Sequence, residues 1–129
     1  MKILLVEDEE YRIIKFKENF IGCSLDITKE PQEAIDWLSN KDYDWIFLDH
    51  DLSPNSYEAY KTGQLLESGT GYDVAKYLEA NPHKSPNSKV VLHSLNPAGA
   101  ERMRRACIKR EVHVIPFNTL FARLIFNKI

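Results

Sequence analysis

The sequence has 129 residues, of which 43% are hydrophobic and 28% charged, and this composition predicts one globular domain spanning residues 1–129. Its formal net charge of −2 argues against a dedicated, sequence-independent nucleic-acid binder, but not against a single nucleotide or an RNA end as ligand. No signal peptide or membrane span is predicted, because the opening MKILLVEDEE and the rest of the chain lack a long apolar stretch. We therefore expect a cytoplasmic protein with no membrane attachment, and no DNA-binding or output domain within these residues.

Five short apolar segments predict β-strands. They lie at residues 3–6, 24–28, 45–48, 90–92 and 112–115. Four of them are continuously apolar, which is typical of strands covered on both faces in a parallel sheet. The segment at 24–28 instead alternates apolar and polar residues, which favours an edge position.

Helical patterns follow each of these strands. They lie at residues 11–20, 31–39, 72–80, 97–110 and 119–127, and Asn96 is placed to cap the fourth. Repeated β-α alternation predicts an α/β fold: a single five-stranded parallel sheet of order 2-1-3-4-5 with helices on both faces. Residues 53–70 interrupt the alternation as a long loop. Tyr57, Tyr60 and Lys61 in that loop either contact a ligand or belong to an ordinary surface loop.

Polar side chains follow three of the predicted strands. They are Glu7 and Asp8 after the first strand, Asp49, His50 and Asp51 after the third, and His93 and Ser94 after the fourth. Ligands of such sheets bind outside the carboxyl ends of the strands, where these side chains would converge. Clustered carboxylates repel one another unless a cation lies between them, so we predict Mg²⁺ or Mn²⁺. The expected ligands are Asp8 and Asp49, with Glu7 and Asp51 completing the shell.

The two histidines beside these acids are candidates for acid–base catalysis. His93 and His50 follow neighbouring strands, and imidazoles near carboxylates form a potential proton-transfer pair. Ser94 either donates a hydrogen bond to a phosphoryl oxygen or caps a turn. The basic residues of the fourth helix, among them Arg102 and Arg110, form either a solvated face or an anion site.

These motifs resemble the receiver domain of two-component signalling over essentially the whole chain. Receivers carry an acidic pair after strand one, here Glu7-Asp8, and a phosphoacceptor aspartate after strand three, here Asp49 in IFLDHDL. A Ser or Thr closes their fourth strand, as Ser94 does here. Their lysine before proline at the end of strand five is replaced by Ile115, which has neither charge nor donor.

The combination of LDHDL, the long loop, GTGYDVAKYL and HSLNPAGAERM is similar to the cyclic-phosphate processing receiver-like domains. That resemblance implies a metal-dependent enzyme whose substrate is a phosphorylated small molecule, a cyclic nucleotide or an RNA end. In such an enzyme His93 or His50 would be the acid or base, with Asp49 and Ser94 also in the catalytic site. Two alternatives are an atypical receiver that acts by binding a protein partner, and a receiver phosphorylated on Asp49.

Overall fold

A computed structural model describes residues 1–125 and contains five strands. They are β1 (Lys2–Val6), β2 (Ser24–Thr28), β3 (Trp45–Leu48), β4 (Lys89–Leu92) and β5 (Glu111–Val114). All pair in parallel in the order β2-β1-β3-β4-β5, which confirms the predicted topology. The three central strands are almost entirely buried, whereas β2 and β5 lie at the edges and are more exposed.

Six helices connect and follow the strands. They are α1 (Glu10–Asn19), α2 (Pro31–Asn40), α3 (Pro54–Lys61), α4 (Gly71–Ala80), α5 (Pro97–Ala106) and α6 (Phe117–Ile125). The predicted fourth helix ends earlier than expected, at Ala106, because Cys107 caps it. The predicted end of the last helix, at residues 126–127, lies outside the described residues. No helix in the described part of the chain is both long and apolar enough to cross a bilayer.

The helices cover both faces of the sheet, as predicted. On one face, Leu4, Ile46 and Val90 pack in a core with α2, α4 and α5. On the other face, Phe47 and Val91 pack with residues of α1 and α6. The side chains of each central strand therefore alternate between two cores, and burial on both sides accounts for the continuous apolarity of these strands.

The first half of the predicted loop at residues 53–70 is a helix, so the prediction of a continuous loop is wrong there. Ser53 caps α3, its Oγ accepting a hydrogen bond from the Ser56 backbone N–H, and Pro54 occupies the first turn. Proline fits this position because the first-turn N–H has no partner within the helix. The inserted helix lies between β3 and α4, next to the carboxyl edge of the sheet.

Candidate functional site

The strand register brings the predicted polar residues to one edge of the sheet. Val6 pairs with Leu48, and Leu48 pairs with Leu92, so β1, β3 and β4 end side by side and the residues that follow them lie next to one another at the edge of the sheet. The ladder continues one step, because Asp49 N–H donates to the Val6 carbonyl and His93 N–H to the Leu48 carbonyl. Glu7, Asp49 and His93 are therefore neighbours across the edge, as the sequence predicts.

Three carboxylates form the centre of the site. One oxygen each of Glu7, Asp8 and Asp49 lies within 4.8 Å of the other two. Glu7 is fully buried and Asp49 is 3% exposed, while Asp8 is partly open to solvent. Asp51 is not a member of this cluster among the described residues, so its role as a metal ligand remains a prediction.

A cation from α1, Arg12, lies beside the carboxylate cluster. Its Nη1 is 3.6 Å from Glu7 Oε1 and 3.5 Å from Asp49 Oδ2, and its guanidinium lies 5.4 Å from the centre of the Phe117 ring. The sequence analysis did not identify this residue. No local signal points to it, because Glu7 precedes the start of α1 and Asp49 follows β3, far along the chain.

Crowding shifts the pKa values of these acids in different directions. Burial and the charge of Glu7 raise the pKa of Asp8 to about 6. The same two causes raise the pKa of Asp49 well above its ordinary value, although Arg12 partly opposes them. Burial is the largest influence on Glu7 and acts to raise its pKa, but the hydrogen bond and charge of His93, the Glu9 N–H and the charge of Arg12 together outweigh burial, so the pKa is lowered. Glu7 is thus the first of the three carboxylates to lose its proton as pH rises.

His93 lies behind the carboxylates, away from solvent. It is fully buried, and its Nε2–H donates to Glu7 Oε1 over 2.9 Å. Its ring meets Phe16 at a centroid distance of 5.1 Å in an edge-on contact, and its Nδ1 has no hydrogen-bond partner among residues 1–125. The imidazole therefore fixes the orientation of Glu7.

His50 forms a comparable pair with Asp51. His50 Nδ1–H donates to Asp51 Oδ1 over 2.9 Å, and the same oxygen accepts from Ser56 Oγ at 2.6 Å. The Asn96 amide donates to both Asp51 oxygens at 3.3 and 3.2 Å. Burial alone would raise the pKa of Asp51, but these hydrogen bonds lower it. Asp51 thereby links β3 and α3 to the N-cap of α5. That cap is Asn96, as predicted, and its Oδ1 accepts a hydrogen bond from Gly99 N–H at 2.9 Å.

Two glycines let the backbone approach this network closely. A Cβ on Gly71 would lie 1.9 Å from the Asp49 carbonyl oxygen, and a Cβ on Gly99 would lie 2.4 Å from the His50 ring. Gly71 N–H also donates to the His50 carbonyl oxygen over 3.0 Å. The glycines of the GTGYDVAKYL and HSLNPAGAERM motifs thus pack α4 and α5 directly against the end of β3.

The site opens into a cavity of about 440 Å³. Of the residues predicted for the site, Asp8, Asp49, Asp51 and Ser94 line this cavity. Glu7, His50 and His93 are fully buried behind its wall. The remaining wall includes Arg12 and two tyrosines of α3, Tyr57 and Tyr60.

Ile115, at the position of the missing lysine, is 1% exposed and packs in the core that contains Phe47 and Val91. Its N–H continues the sheet ladder by donating to the Leu92 carbonyl. The end of β5 therefore brings no cation to the carboxylates. Within the described part of the chain, the cation beside Asp49 is Arg12 of α1.

Comparisons with known proteins agree with this fold. The sequence model of the Cyclic-phosphate processing Receiver domain family matches residues 2–109. A comparison with curated proteins gives no match.

Solved receiver structures share the fold. A response regulator receiver domain (CheY-like) from Methylobacillus flagellatus is 23% identical with a TM-score of 0.59, covering 88% of this chain and 83% of that chain. Chemotaxis protein CheY4 of Vibrio cholerae is 14% identical with a TM-score of 0.63, covering 95% and 94%. Response regulator TrrA from Thermotoga maritima, in complex with Mg²⁺-BeF, is 22% identical with a TM-score of 0.60, covering 99% and 98%. At these identities the likeness shows the fold alone.

Proposed function

Because the chain belongs to the family of cyclic-phosphate processing receiver domains, we propose that it is a metal-dependent phosphoesterase that opens cyclic phosphates of nucleotides or RNA ends. One observation carries this proposal. Three carboxylates and the Arg12 guanidinium meet beside one open cavity, an arrangement suited to a metal ion together with a phosphoryl group. A buried structural ion pair would not need the third carboxylate or the cavity.

The donor set fits a hard divalent cation such as Mg²⁺ or Mn²⁺. The oxygens of Glu7, Asp8 and Asp49 lie close enough to share one ion, and carboxylate oxygens are the ligands that these metals prefer. The raised pKa of Asp8 and of Asp49 reflects crowded negative charge, which a divalent cation would relieve. When bound, such an ion supplies positive charge for the phosphoryl oxygens and a water of lowered pKa. We retain Asp51 as a further candidate ligand.

The chain itself would bind and orient the substrate. In ring opening, a water oxygen bonds to phosphorus and loses a proton, the bond from phosphorus to one ribose oxygen breaks, and that ribose oxygen takes up a proton. Arg12 would hold a phosphoryl oxygen, because guanidinium matches phosphate in geometry and keeps its charge at all relevant pH values. Ser94 Oγ accepts a hydrogen bond from Asn96 N–H at 3.1 Å. The Ser94 hydroxyl hydrogen is therefore free to donate to a phosphoryl oxygen.

The histidines would contribute through the carboxylates that they contact. His93 is bonded to Glu7 and His50 to Asp51, and both rings are fully buried. We therefore propose positioning roles for both, in place of direct proton transfer to the substrate. Asp49 would serve as a metal ligand in this scheme.

Phosphorus NMR with 2′,3′-cyclic nucleotides and either Mg²⁺ or Mn²⁺ tests the activity. We expect turnover to a phosphomonoester, with losses of about a hundredfold or more in Asp49→Asn and Arg12→Ala. Lys15→Ala is the matched control, because Lys15 is an α1 cation that pairs with Glu18 and not with the cluster. Equal rates in Arg12→Ala and Lys15→Ala would contradict the role of Arg12. No turnover from folded protein with either metal would contradict the activity itself.

A second candidate function is a receiver-like module that binds a protein partner. It is favoured by the burial of Ile115 at the lysine position and by an Arg12 that already neutralises part of the cluster. Stable phosphorylation of Asp49 by a small phosphodonor, without turnover of any cyclic phosphate, would instead support a phosphorylatable receiver.

A further inference from the structure

The wall of the cavity opposite the sheet is aromatic. Tyr57 and Tyr60 both line the cavity that contains Asp8 and Asp49, and their ring centroids are 6.5 Å apart with planes tilted by 40°. They stand three residues apart on α3, so both project from one side of that helix. The Tyr57 residue is 51% exposed. Two aromatic rings thus face the same space as the carboxylates and Arg12.

Packing of the fold does not account for these two rings. Neither tyrosine is a member of either hydrophobic core among the described residues. Tyr57 is exposed and Tyr60 half-buried, and ring surface that stays in contact with water gains none of the free energy of apolar burial until a ligand covers it. The Tyr57 ring has a partner in the Lys61 ammonium, 4.7 Å from its centre, but an exposed contact of this kind adds little stability. A ligand therefore explains the position of the two rings better than stability does.

The aromatic wall is held in place relative to the carboxylates. Ser56, the residue before Tyr57, donates its hydroxyl to Asp51 Oδ1 at 2.6 Å, and His50 donates to the same oxygen. Asn96 ties this carboxylate to the N-terminus of α5. The helix that carries the tyrosines is therefore fixed to the phosphate-binding side of the cavity through Asp51.

We propose that Tyr57 and Tyr60 form a base-binding subsite that stacks the nucleobase of a ligand whose phosphate lies beside Arg12 and the carboxylates. This inference rests on the proposed function and restricts its substrates. Nucleoside cyclic phosphates are bound in preference to cyclic phosphates of simple sugars. Stacking on aromatic rings accepts any base, so the subsite favours nucleotides without selecting a sequence.

Binding of a matched pair of ligands tests the subsite. The probes are adenosine 2′,3′-cyclic monophosphate and methyl ribofuranoside 2,3-cyclic phosphate, which lacks the base. Each is titrated into the protein in the presence of Mg²⁺ to obtain its dissociation constant, within a time over which phosphorus NMR shows no product. We expect the adenosine ligand to bind about tenfold more tightly or better. The double variant Tyr57→Leu/Tyr60→Leu loses this difference and binds the base-free ligand unchanged. Tyr57→Phe/Tyr60→Phe, which keeps both rings, retains it.

Tyr11→Leu is the control, because Tyr11 is 61% exposed on α1 and outside the cavity wall. It keeps the full preference for the adenosine ligand. If both ligands bind the unmodified protein equally, or if the leucine variant keeps the preference, the subsite is overturned while the phosphate site stands. If neither cyclic phosphate binds, the proposed function fails and the subsite fails with it.

Discussion

The buried pair of Glu7 and His93 shows how a single interaction supports both the fold and the site. A carboxylate without solvent is stable only when hydrogen bonds satisfy its oxygens, and Glu7 receives them from His93 and from the N–H groups of Asp8 and Glu9. The oxygen bonded to His93 is also the one nearest Arg12. Removing the imidazole would therefore disturb the carboxylate that organises the cluster.

We expect His93→Leu to lower the free energy of unfolding by about 3 kcal/mol, because it leaves Glu7 buried without its main partner. Urea unfolding followed by circular dichroism measures this change. The double variant Glu7→Gln/His93→Leu should recover part of the loss, since the unpaired charge is gone. If the double variant is as unstable as the sum of the two single variants, the two residues do not act as a pair.

The sequence could place most site residues but not their orientation. Strand ends and register put Glu7, Asp49 and His93 together, because a parallel sheet brings its carboxyl ends to one edge. Whether His93 faces the cavity or the core depends on the packing of Phe16 from α1, which no local pattern encodes. Arg12 escaped notice for a related reason: its partner Asp49 lies far along the chain.

At the scale of the elements, Arg110 fixes the loop between α4 and β4. Its guanidinium donates to the carbonyl oxygens of Leu78, Asn81, Lys84 and Ser85 at 2.8 to 3.1 Å. The side chain therefore satisfies the Leu78 carbonyl at the C-terminal end of α4 and ties it to carbonyls of the loop that follows. Arg110 is thus a structural residue, and neither a solvated face nor an anion site describes it.

We expect Arg110→Ala to lower the free energy of unfolding by about 2 kcal/mol, through loss of several charge-assisted hydrogen bonds at a half-buried site. Arg110→Lys should be intermediate, because an ammonium lacks the planar fork that reaches several carbonyls at once. Denaturant midpoints of the purified variants measure the change. Lys109→Ala is the control at an exposed neighbour, with an expected change below about 0.5 kcal/mol. Equal midpoints for the variants at 109 and 110 would refute the structural role.

The elements were predictable where hydrophobic periodicity was strong and not where it was weak. All five strands and five helices follow apolar patterns in the sequence, because their burial is what forms them. α3 is different: the only buried residue in it is Ser56, and it contributes nothing to either core. Its start was nevertheless encoded in Ser53-Pro54, a cap followed by a first-turn proline.

For the molecule as a whole, the carboxylate cluster lowers stability in the absence of metal. A group whose pKa is raised by folding binds its proton more tightly in the folded state. The stability that such a group contributes is fully present below its pKa in the unfolded state, and it is lost as pH rises through its pKa in the folded state. Asp8, with a folded pKa of about 6, and Asp49, with a raised pKa, therefore make the metal-free protein less stable at neutral pH than in mild acid. Glu7 and Asp51 have lowered pKa values, so their titration is complete at lower pH.

The difference in stability between Asp8→Asn and the unmodified protein isolates this effect, because all other titratable groups are present in both. Without metal, we expect the variant to gain about 1 kcal/mol relative to the unmodified protein between about pH 5 and about pH 8, a value reduced for the partial exposure of Asp8. Urea unfolding in the presence of a chelator, at each pH, measures this difference.

Added Mg²⁺ should raise the melting temperature of the unmodified protein mainly at the higher pH, since ligand binding to the folded state stabilises it and protons compete with the metal. Asp8→Asn should show little of this rise. A stability difference that is flat with pH would mean that Asp8 carries no excess charge, and an equal Mg²⁺ effect in both proteins would place the metal elsewhere.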